Sequence, residues 1–156
     1  MTRLFALLYC LHRLLNVPIC TEQQLSAMIC RHAQGISYVC SEKEDHGERS
    51  LFLSPRSDNW IIHHSFRPII TFRFNKAYTG VVEAFCEVSH ETLGFLKVYN
   101  VIMFGLEVLL FASLFMPQPQ MTAFLAVLGV HLLYLAATSI VFRLTAIKIL
   151  KELTGS

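Results

Sequence analysis

A chain of 156 residues has room for about one domain of ordinary size, which argues against a two-domain enzyme. Charged residues make up only 15% and hydrophobic ones 54%, whereas a soluble domain carries about a quarter charged, so membrane association is the first expectation. The net charge of +2 comes from 13 scattered basic residues, not the dense basic stripe that pairs with phosphates, and nucleic acid is not an expected partner.

The chain opens with "RLFALLYCLHRLL", in which Leu4, Leu7, Leu8, Leu11, Leu14 and Leu15 recur at helical spacing. This predicts an amphipathic helix within residues 1–17, lying on a membrane surface or against the domain. A signal peptide is the competing reading. His12 and Arg13 interrupt the apolar centre, and no small-residue cleavage site follows "NVPIC".

Residues 18–97 read as a small α+β domain. In "CTEQQLSAMICRHAQG", Thr21 is placed as an N-cap, Gln24 completes a capping box, and Gly35 supplies the stop of a short helix whose apolar face holds Leu25, Met28 and Ile29. The period then changes to alternation. "ISYVC" (36–40), "SLFLS" (50–54), "NWIIHHS" (59–65), "RPIITFRF" (67–74) and "GVVEAFCEVS" (80–89) predict four or five antiparallel strands. In the last two, Ile70, Phe72, Phe74, Val82, Ala84, Cys86 and Val88 share the buried face, while Thr71, Arg73, Glu83 and Glu87 face water. The mixed-charge run "SEKEDHGER" reads as a solvated turn. The five cysteines, at 10, 20, 30, 40 and 86, are odd in number and lack C-x-x-C spacing, so reduced thiols are expected rather than a zinc or disulfide framework.

Two almost wholly apolar runs follow, 98–116 and 121–142, each close to the ~20 residues that span hydrocarbon as a helix. Only "PQPQ" separates them, and a proline-rich loop this short forces an antiparallel transmembrane hairpin at 98–142. The loop carries no positive charge, whereas Lys97 precedes the first run and Arg143, Lys148 and Lys151 follow the second, within a basic tail at 143–156. By the positive-inside rule both termini are expected to face the cytoplasm.

The segment "NWIIHHSFRPIITFRF", followed by a further strand, the hairpin and a short basic helix, is similar to small bacterial membrane proteins that join an antiparallel β-domain to a C-terminal transmembrane hairpin. The likeness covers roughly residues 50–152 and rests on Phe66 and Pro68 in an F-x-P opening of a strand; Phe72 stands where that group usually has glycine. It implies the fold, and no activity, ligand or catalytic residue.

No metal-protease, nucleophile-elbow or phosphate-loop motif occurs in the chain, and no cofactor is expected. His63, His64, Cys86 and His90 are loose metal candidates, but adjacent histidines on a strand point to opposite faces. The sharper signal is Glu107, alone in charge at the middle of the first apolar run. With the turn at about 118 or 119, position 107 lies level with 130 or 131, and residue 131 is His, which predicts an intramembrane polar pair. The pair reads either as interhelical glue or as a proton-exchanging element lining a pore.

The expectation is an α+β membrane protein: a small antiparallel β-meander with one or two short helices, then a two-helix transmembrane hairpin. Its expected role is non-enzymatic, as a membrane-anchored interaction or accessory subunit that forms homo-oligomers or joins a membrane complex, with the lipid bilayer as first partner. A small pore-forming effector or channel with a cytoplasmic sensor domain is the alternative. A membrane-bound hydrolase or metalloenzyme comes third, without a motif behind it.

Overall fold

Alternating apolar residues give β-strands wherever a covering layer can bury one face, and here five such strands assemble into a single antiparallel sheet. A computed structural model describes residues 7–17, 21–45, 48–56, 66–74, 81–115 and 120–155. The strands are β1 (Cys10–Asn16), β2 (Tyr38–Asp45), β3 (Glu48–Pro55), β4 (Pro68–Phe74) and β5 (Val81–Val88), in spatial order β1-β5-β4-β3-β2. Thus β2 to β5 form a meander, and β1 closes its far edge against β5. Register places Leu51, Phe72 and Ala84 in one cross-strand row and Leu53, Ile70 and Cys86 in the next, all fully buried. The opposite face pairs Arg73 with Glu83 and lines up Phe52, Thr71, Phe85 and His12. There Phe85 lies between a stacked His12 ring at 4.4 Å and the Arg73 guanidinium at 4.8 Å.

The first correction concerns the N-terminus. Cys10–Asn16 is a strand paired along its whole length with β5, not part of an amphipathic helix. Leucines at helical spacing satisfy a local pattern, but β5 would otherwise present an unpaired ladder of N–H and C=O groups, and a seven-residue partner satisfies it. Leu4 lies outside the described residues. The second correction concerns "SEKEDHGER", which is mostly hairpin strand: β2 runs through Asp45 and β3 starts at Glu48, with Glu44 opposite Arg49 and Lys43 opposite Ser50. Opposite charges facing across an antiparallel pair support the ladder instead of breaking it. The expected strand at 59–65 lies outside the described residues.

Helix α1 (Glu22–Gly35) begins where its capping box requires. Thr21 Oγ1 accepts from the Gln24 N–H at 3.3 Å, and the Thr21 N–H donates to Gln24 Oε1 at 3.1 Å. Leu25, Ile29 and Ala33 are buried; Met28 is half-buried. The helix ends with Gly35, the Ile36 N–H bonding back to His32 and Ala33 carbonyls, and Ser37 takes the left-handed conformation at φ 61°. A third correction follows: Cys30 of α1 and Cys40 of β2 form a disulfide, tying helix to sheet, so not all the thiols are free. Spacing alone carries no information about which cysteines meet in space. Tyr38 is buried beneath this corner, its hydroxyl donating to the Pro68 carbonyl at 3.0 Å; burial pushes its pKa upward.

Helices α2 (His90–Ser113) and α3 (Met121–Thr154) complete the chain. Two compact units result, Met1–Ser89 with Phe142–Ser156, and His90–Val141. The expected basic tail is therefore a wall of the sheet unit. Phe142, Ala146, Ile149, Leu150 and Leu153 are buried at the spacing of one helix face, while Lys148 and Lys151 stay exposed. Phe142 meets Tyr9 edge-on at 6.1 Å, and His32 Nδ1 lies 3.1 Å from the Leu153 carbonyl oxygen. Two basic residues do not make a solvated tail when the residues between them offer a continuous apolar stripe.

Candidate functional site

The second unit inverts the usual arrangement. Thr92–Ser113 and Met121–Thr154 are long and apolar enough to cross a bilayer. Their large apolar side chains point outward: Val101, Leu109 and Leu133 are 72%, 71% and 71% exposed. The polar groups lie inside. His131 is only 8% exposed, and Glu107 is half-buried beside it.

His131 Nδ1 lies 2.6 Å from Glu107 Oε1, and its Nε2 lies 2.8 Å from Asn100 Oδ1. Asn100 in turn donates from Nδ2 to the Leu96 carbonyl at 2.6 Å. Helical periodicity explains the convergence, because Leu96, Asn100 and Glu107 stand four and seven residues apart and share one face of α2. On α3, Tyr134 lies one turn beyond His131. Tyr99 meets the imidazole edge-on at 6.1 Å and packs against Tyr134 at 4.2 Å, forming an aromatic wall on one side of the triad. Every nitrogen and amide group of the triad is thereby engaged, which is what polar atoms in an apolar setting require.

Asn100 is the member that sequence reasoning missed. An uncharged amide gives no titration signal, but its position two turns before Glu107 within an apolar run was visible in the residue order.

The loose metal candidates do not converge. His63 and His64 lie outside the described residues, as does the side chain of His90. Cys86 is buried in the sheet, where burial, aided by Cys10, pushes its pKa up to about 12. Among the described residues no group of three or more His, Cys, Asp and Glu side chains is placed to hold a metal. One open cleft of about 620 Å³ lies beside α1, lined by Glu22, Ser26, Cys30, Glu42 and Arg49 among others. Within it Ser26 Oγ donates to Glu42 Oε1 at 2.6 Å, and Ser50 Oγ donates to the Lys43 carbonyl at 3.1 Å.

No protein-family model, curated protein or solved structure matches the chain.

Proposed function

We propose that this protein is a non-enzymatic, membrane-anchored interaction or accessory subunit, held in the bilayer by the α2–α3 hairpin. The observation that carries the reading is the hairpin's inverted sorting: exposed Val, Leu, Ile and Phe along α2 and along the 121–141 part of α3, with Asn100, Glu107 and His131 turned inward. Water disfavours such a surface, whereas lipid tails match it. A Cβ added at Gly105 or Gly129 would meet nothing within 4 Å, so both helices keep open flat spots where a second helix can approach closely. That supports homo-oligomerisation or docking on a larger membrane complex.

Lys97, Arg143, Lys148 and Lys151 favour an inner-membrane topology with both ends cytoplasmic. The Cys30–Cys40 bridge favours an oxidising compartment instead. We give the charge criterion precedence because it acts on the helices as they insert, and the bridge then closes only when the surroundings oxidise it.

Carbonate extraction and flotation of the full chain test anchoring, and the mass of the detergent-solubilised particle tests assembly. Anchoring predicts flotation with vesicles and a particle of at least two chains; a chain that stays soluble refutes it. A channel is the second reading, favoured by an acid and an imidazole in contact within the apolar unit. It requires an oligomer, since two helices cannot enclose a conduit.

A further inference from the structure

We propose that Asn100, His131 and Glu107 form a proton-exchange site, in which one proton moves between His131 Nδ1 and Glu107 Oε1 while Asn100 keeps Nε2 protonated. This deepens the membrane-subunit reading and rests on it for the direction from which protons arrive. The ligand is the proton itself.

The assignment follows from donor accounting. A carbonyl oxygen only accepts, so the Asn100 atom 2.6 Å from the Leu96 carbonyl must be the NH₂ group. The amide orientation is thereby fixed, and Oδ1 is the atom facing His131 Nε2 at 2.8 Å. Oδ1 also only accepts, so Nε2 carries a hydrogen. One ring nitrogen remains, and it faces a carboxyl oxygen at 2.6 Å, the short end of the range for a charge-assisted bond.

Two arrangements satisfy that contact. In one, Glu107 is a carboxylic acid whose O–H donates to a neutral imidazole. In the other, the O–H bond has broken, an N–H bond has formed at Nδ1, and a carboxylate accepts from an imidazolium. The two differ by one proton moved across the contact, and both are neutral overall. A proton taken up from water leaves the pair cationic, and one released leaves it anionic. No further co-reactant is needed.

Nothing nearby competes for the role. Between residues 98 and 142 the acidic, basic and imidazole side chains are Glu107 and His131 alone, and the other titratable groups facing the imidazole are the phenols of Tyr99 and, behind it, Tyr134. Asn100 is a positioning residue: it selects which nitrogen is free to exchange.

The test is nitrogen-15 NMR of the full chain, histidine-labelled, in phosphatidylcholine–phosphatidylglycerol vesicles, with His131 assigned by the signals lost in His131→Gln. The expected result is an Nε2 that stays protonated from acid to alkaline pH and an Nδ1 signal that moves reversibly over the same range. Glu107→Gln should abolish the Nδ1 movement and keep Nε2 protonated, because an imidazole without its carboxylate stays neutral in an apolar setting. Asn100→Leu should release Nε2, so that both neutral tautomers appear. A bare Nε2 in the parent, or an Nδ1 signal that pH leaves unmoved, overturns the proposal without recourse to any variant. Flotation of the same sample reports anchoring separately: a chain that fails to float defeats the membrane reading, while the spectrum still reads the proton site.

Discussion

The two units sort the same residue types in opposite senses. In the sheet unit Leu51, Leu53, Ile70 and Phe72 are enclosed, and Arg73, Glu83 and Glu87 face outward. In the hairpin Val101, Leu109 and Leu133 face outward, and Asn100, Glu107 and His131 face one another. The contrast fits the proposed membrane anchoring: water would favour hiding apolar area, as the sheet unit does, and hydrocarbon would favour hiding hydrogen-bonding groups, as the hairpin does.

Large apolar truncations should break or uphold that contrast most visibly. Phe72→Ala should cost the sheet unit about 3–5 kcal/mol through lost burial and a residual cavity, read as a shift in denaturation midpoint. Leu109→Ala or Leu133→Ala should leave hairpin stability in vesicles nearly unchanged; a comparable loss there would mean that the outward face is packed against protein. Next in size is Cys30→Ser, expected to cost about 2–3 kcal/mol under oxidising conditions and almost nothing in the presence of a reducing agent, because closing a short loop restricts the unfolded chain. Loss of equal size in both conditions would show that the side chains matter through packing and not through the bond.

The hairpin's polar contact should come third. Glu107→Leu strands His131 and should weaken the hairpin by about 1–2 kcal/mol, while Glu107→Leu combined with His131→Leu should recover part of the loss. Detergent-resistance of the assembled particle measures both, and a double variant no better than the single one would rule out direct coupling. Smallest is Thr21→Ala, which removes one acceptor from the first turn of α1 and should cost about 1 kcal/mol in thermal unfolding of the sheet unit only.

Some of this was open to reading in the residue order because the signals are local. The Thr21–Gln24 box, the alternation in "PIITFRF" and "VVEAFCEV", and the two long apolar runs each depend on neighbours within a few positions. Counting outward from "PQPQ" sets 107 level with 130 or 131, and His131 Nδ1 lies 2.6 Å from Glu107. What stayed hidden depends on distant partners. The strand at Cys10–Asn16 exists because of β5, roughly seventy residues later by the antiparallel pairing. The Cys30–Cys40 bond depends on where α1 docks, and Asn100 matters through a histidine on the following helix. The apolar stripe from Phe142 to Leu153 had a visible period, but the lysines between its members drew attention to charge.

The placement of Phe142–Thr154 in the wall of the sheet unit also sets an order of events during synthesis. The strands emerge from the ribosome first, then residues 90–141, and only afterwards the Phe142–Thr154 segment that belongs to the sheet unit. Until then Tyr9 lacks its edge-on contact with Phe142 and His32 its contact at the Leu153 carbonyl, so the sheet unit is incomplete while residues 90–141 are being made. Maturation of the domain is thereby made conditional on completing the segment that interrupts it.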